Sequence, residues 1–168
     1  RLGWTAIDAD EELERRAGRT IRQIFDTDGE PEFRRLERAT LIDLLSQRNL
    51  VIAAGGGAIL NPDTRRDMQA AGPVVWLQAS ADTIEARLYG DATTTDRRPK
   101  LTASGGRAEI EQLLEQREPI YQETASLIVA TDQPFNGQTR PPDIAQLTDY
   151  IIRELTDRLT DSAEETRT

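Results

Sequence analysis

Two acidic residues, Asp8 and Asp10, stand directly after the apolar run Trp4–Ile7. Three glycines, Gly55, Gly56 and Gly57, stand directly after the run Leu50–Ala54. Ligands of open parallel sheets gather at the carboxyl ends of strands, so both groups lie where a site belongs. Carboxylates there can take a proton from a hydroxyl or hold a magnesium shell. They can equally cap the acidic helix start Glu11-Glu12-Leu13-Glu14; if the chain stays extended, Asp8 and Asp10 point the same way. Bare glycine amides can approach an anion closely, and a tight turn needs one glycine, seldom three.

The rest of the chemistry falls to arginine. Of the 21 basic residues 20 are Arg, and Lys100 is the only lysine. There is no Cys and no His, which excludes disulfides, thiolate nucleophiles, imidazole bases and zinc–sulfur sites. Arg34 and Arg35 follow Gly29-Glu30-Pro31-Glu32-Phe33; Arg97 and Arg98 lie in a polar segment; Arg117 precedes Glu118-Pro119-Ile120-Tyr121. Each alone reads as a solvated surface residue. Glu37, three residues after Arg34, is spaced to hold its guanidinium on a helix.

A net charge of −9 with dispersed basic residues argues against a nucleic-acid partner. No run of 18 apolar residues and no leader pattern appears, so a cytoplasmic chain without a membrane partner is expected. The elements that position these residues are strands alternating with helices. Four continuous apolar runs, Trp4–Ile7, Leu50–Ala54, Val74–Leu77 and Leu127–Val129, predict strands covered on both faces. Helices are expected over 31–48 (with Phe33, Leu36, Leu41, Leu44 and Leu45 on one face), 82–89, 108–117 and 144–159, followed by a fraying polar tail. This pattern gives an α/β fold with a parallel sheet. Thr93–Arg107 reads as a lid.

In order, D-x-D, G-E-x-x-F-R-x-x-E, G-G-G-A, R-P in a lid and R-x-P-x-Y resemble the shikimate kinase family over about residues 4–131. Leu13–Phe25 also looks like that family's substrate-binding helical region. The resemblance implies a three-layer parallel-sheet P-loop kinase fold, like that of nucleoside-monophosphate kinases, in one domain over 1–160. The substrate-binding region would lie at about 10–40, the lid at about 92–107 and the tail at 161–168. It implies ATP-dependent phosphorylation of shikimate with Mg2+, by a monomer that binds only small molecules. Asp10 would orient and deprotonate the reacting hydroxyl, and Asp8 would help hold the magnesium shell. Arg34 and Arg117 would grip the carboxylate, Gly55–Gly57 would offer amides, with Gly56 the direct contact, and Arg98 would meet ATP's transferring phosphoryl group.

The family's first strand and its G-x-x-x-x-G-K-[ST] loop belong upstream of Arg1 and do not occur in this sequence; Lys100 follows Arg98-Pro99 instead. A chain without that strand is expected to carry a gap in the middle of its sheet and to be poorly folded by itself, and without that loop to be inactive. Lys100 also stands where an apolar residue is usual. Two alternatives remain open: a non-catalytic module that kept the shikimate pocket, and a kinase for another small metabolite such as a sugar acid.

Overall fold

The computed structural model describes residues 1–90, 106–135 and 139–165. The expected strands all form, each within one residue of its apolar run: β1 Thr5–Asp8, β2 Leu50–Ala53, β3 Val75–Gln78 and β4 Leu127–Ala130. The helices are α1 Ala9–Ala17, α2 Ile21–Leu45, α3 Pro62–Ala71, α4 Ala81–Gly90, α5 Arg107–Thr124 and α6 Ile144–Glu165. A single 3-10 turn, Ala58–Leu60, follows the three glycines.

Pairing is parallel throughout but not continuous. β1 pairs with β2, from Thr5↔Leu50 to Asp8↔Ala53, and β3 with β4, from Val75↔Leu127 to Gln78↔Ala130. Among the described residues these are two two-stranded sheets with no ladder between them. The expected cover on both strand faces is not found: Val51 is 51% exposed and Leu77 54%. Continuous apolar runs therefore mark these strands correctly, while one face stays open in each pair.

Two cores hold the first half. Leu41, Leu44, Ala9 and Ala58 are buried with Ile7, Leu50 and Ile52 packed on them, which seats the second part of α2 on β1 and β2. Leu13, Ile21, Ile24 and Phe33 form a second cluster between α1 and α2. There the Phe25 and Phe33 rings lie 4.7 Å apart.

α2 is two helices end to end. Thr20 and Gln23 form a reciprocal capping box at its start. Gly29 breaks it with φ 79° and ψ 177°, and Pro31 then sits in the first turn of the second part, as the sequence suggests. The earlier part, from Ile21, is the helical region that the family resemblance points to.

Three helices differ from expectation. α3 is not anticipated, although Asn61 caps it through bonds from the Asp63 and Thr64 amides and Pro62 opens it. α5 continues past Arg117 to Thr124 with Pro119 inside. Glu115, whose carbonyl Pro119 cannot serve, and Pro119 itself are both exposed, so water can satisfy that carbonyl. α6 runs through the supposed fraying point to Glu165.

Candidate active site

Register brings the pieces together. Asp8 ends β1 opposite Ala53, which ends β2, so the first turn of α1 and the glycine turn leave the same edge side by side. The strand stops at Asp8, so the two acids do not share a direction through strand alternation. Asp8 is the N-cap of α1: its Oδ1 accepts from the amides of Asp10 at 2.9 Å and Glu11 at 3.1 Å. Asp10 belongs to the helix's first turn. The two readings left open by the sequence thus divide, with Asp8 capping and Asp10 turned toward the glycines.

None of Gly55, Gly56 and Gly57 has a positive φ, so conformation does not demand glycine here. Space does. A Cβ on Gly55 would lie 3.4 Å from Asp10 Oδ1 and 3.7 Å from Glu37 Oε1. On Gly56 it would lie 2.8 Å from Tyr121 Oη and 4.0 Å from Arg117 Nη1, and on Gly57 2.5 Å from Arg34 Nη1. Each glycine faces a different polar side chain, and together they gather Asp10, Arg34 and Arg117 around bare backbone.

Arg34 is held from both sides along its helix. Its Nη1 donates to Glu37 Oε2 at 2.9 Å, while Nε and Nη2 donate to Glu30 Oε1, both at 3.2 Å. Its guanidinium carbon also lies 5.1 Å from the centre of the Phe33 ring. Burial draws the Arg34 pKa down, but Glu37 and Glu30 together leave it above the ordinary value. Glu37 is only 8% exposed. Burial pushes its carboxyl up, against the pull of Arg34 and with help from the charges of Asp10 and Glu30. The G-E-x-x-F-R-x-x-E motif is therefore a clamp on one guanidinium. Its Glu37 arm was legible from spacing, whereas Glu30 had no assigned part.

Arg117 differs. Among the described residues it has no hydrogen-bond or ion-pair partner, and it lies beside the glycine turn. Tyr121, also without an assigned role, donates from Oη to the Gly56 carbonyl at 2.7 Å. Arg98 lies outside the described residues. Two guanidinium groups, one acid and a bare turn suit a small carboxylate that also carries a hydroxyl.

Known proteins match this chain along nearly its whole length. The sequence model of the shikimate kinase family covers residues 1–157. Shikimate kinase of Chromobacterium violaceum is 36% identical over 162 residues, which is 96% of this chain and 79% of that protein. Shikimate kinase of Francisella philomiragia is 38% identical over 149 residues, or 88% of this chain and 80% of that protein. Among solved structures, shikimate kinase from Acinetobacter baumannii in complex with shikimate matches with a TM-score of 0.77 at 31% identity, covering 95% of this chain and 80% of that one. Shikimate kinase from Bacteroides thetaiotaomicron matches with a TM-score of 0.70 at 30% identity, covering 97% and 85%. A clamped arginine, a second arginine from another helix and an acid round three glycines thus stand in a chain that belongs to the shikimate kinase family.

Proposed function

We propose that this chain serves the ATP-dependent phosphorylation of shikimate to shikimate 3-phosphate, in the route to chorismate and the aromatic amino acids, and that shikimate sits against Gly55–Gly57. The observation that carries the proposal is the glycine turn, where the missing Cβ atoms of Gly56 and Gly57 admit Tyr121 Oη and Arg34, and where Asp10 lies beside Gly55. Arg34 and Arg117 take the carboxylate from two sides. Gly56 offers its amide. Asp10, beside Gly55, orients the reacting hydroxyl and accepts its proton. Arg98 comes from the lid to the transferring phosphoryl group. Phosphoryl transfer relies on positioning and electrostatics, so a site with neither His nor Cys is chemically sufficient.

The residues present fit the acceptor better than the donor. The sequence contains no glycine-lysine loop of the kind that cradles nucleotide phosphates. No group of three acidic side chains among the described residues could cage a metal. Asp8 spends Oδ1 on its cap. Its remaining oxygen suits a water of a magnesium shell carried by ATP rather than a protein-built site.

Calorimetric titration with shikimate tests the acceptor side directly. The chain is expected to bind shikimate. Arg34→Ala and Arg117→Ala should each weaken binding by about 2–5 kcal/mol, the range for removing one partner of a charge pair out of water. Unchanged affinity in either variant would take that arginine out of the clamp, and no binding by the unsubstituted chain would overturn the reading.

A further inference from the structure

We propose that Tyr121 is a positioning residue for the carboxylate clamp: its hydroxyl ties the Gly56 carbonyl to α5 and so sets where Arg117 meets the glycine turn. The inference rests on the shikimate reading and adds a residue to it. The two arginines come from different halves of the molecule. Arg34 lies on α2, packed on β1 and β2, whereas α5 carries Arg117 and leads into β4. No strand ladder joins the halves among the described residues, so the packing of α5 on the turn after the glycines and the side-chain contacts there set one arginine against the other.

Tyr121 is placed to do this. It follows Arg117 by four residues on α5, hence on the same helix face. Its ring stacks on Trp76 of β3, with centroids 5.3 Å apart and planes 22° apart. Its hydroxyl reaches across to Gly56 at 2.7 Å. One side chain therefore joins α5, β3 and the glycine turn. The absent Cβ of Gly56 points the same way, since that carbon would lie 2.8 Å from the hydroxyl but 4.0 Å from the ring carbon bearing it. The space is kept for the hydroxyl. A further polar tie to α5 runs from Gln69 of α3 to the Glu123 and Thr124 carbonyls, at 3.2 and 3.3 Å, and acts at the far end of α5.

Tyr121→Phe keeps the ring on Trp76 and removes only the tie. Shikimate affinity should fall about three- to tenfold, the worth of one hydrogen bond. In an Arg117→Ala background the same substitution should change affinity little, because the group it positions is gone. Gly56→Ala should weaken binding more in the unsubstituted chain than in Tyr121→Phe, where no hydroxyl remains to collide with. An undiminished Tyr121→Phe effect in the Arg117→Ala background would overturn the proposal, as would unchanged affinity in Tyr121→Phe alone. The Arg117 Nε resonance, followed by NMR without ligand, tests the tie independently of binding. Tyr121→Phe should displace it, and an unmoved resonance refutes the tie. Failure of the unsubstituted chain to bind shikimate would sink the functional reading and leave the NMR result standing.

Discussion

Glu37 carries a charge where burial resists one, and this gives the protein an acid–base signature of its own. Its folded-state pKa lies above the ordinary 4.5 because burial outweighs the attraction of Arg34. Between 4.5 and that raised value the folded chain binds more protons than the unfolded chain. Stability contributed by this group is therefore present below 4.5 and lost as pH rises through the window. Glu12 behaves in the opposite sense. Hydrogen bonds from Arg15 and Arg16 lower it to about 2, so its contribution is lost only as pH falls from 4.5 toward that value. The two windows do not overlap, and Glu37→Gln can isolate the first. Melting temperatures followed over about pH 3–8 should show the decline above 4.5 flattened in Glu37→Gln, with the acid limb unchanged. Parallel profiles for the two proteins would mean that Glu37 does not titrate in this range. Much of the site was legible at this scale: the Arg34–Glu37 pair follows from helix spacing. Tyr121 was not, because its partner is a backbone carbonyl distant in sequence, and no local pattern announces such a bond.

At the scale of elements, Gly29 does what no other residue can. Its φ of 79° and ψ of 177° belong to a region open almost only to glycine. The break lets Ile21 and Ile24 reach the small core with Phe33 while the later turns carry Leu41 and Leu44 onto the strands. Gly29→Ala should cost about 1–3 kcal/mol through backbone strain. That corresponds to roughly 2–12 °C in melting temperature for a domain of this size, to be read by calorimetry. A melting temperature equal to that of the parent would show that the bend can be made in another way. Gly29 and Pro31 mark the break in the sequence; the helix before it was indicated by the family resemblance and not by periodicity, because Ile21, Ile24 and Phe25 are too short a run to set a period. α3 was missed for the opposite reason. Its Asn-Pro-Asp start is a good helix signal, yet its body, Thr64-Arg65-Arg66-Asp67-Met68, carries too little apolar surface to show a stripe. In α5, Pro119 suggested an end that the exposed side of the helix tolerates.

For the molecule as a whole, apolar strand surface is open beside a net charge of −9. Val51, Leu77 and Ile128 present exposed side chains on three different strands. Self-repulsion keeps such surfaces apart while salt is low, and screening removes it once the Debye length shrinks below about 10 Å. Light scattering should therefore rise as salt is increased, and Val51→Glu or Leu77→Glu should suppress the rise. Scattering that stays flat, or that rises equally in both variants, would show that these faces do not self-associate. The apolar runs forecast the strands, and the family resemblance a gap in the sheet; among the described residues the two strand pairs share no ladder. The runs could not forecast open faces, because a continuous apolar run reads the same whether one side or both are covered.

Because each strand among the described residues pairs within its own half, the order of synthesis is also an order of assembly. Once Ala71 has been made, β1 and β2 can form the ladder they share, α1, α2 and α3 are complete, and Asp10, Arg34 and the three glycines can already meet. Arg117 and Tyr121 arrive only with α5, after β3. A chain growing from the ribosome thus builds the acid and the first cation early and adds the second cation to a turn that already exists.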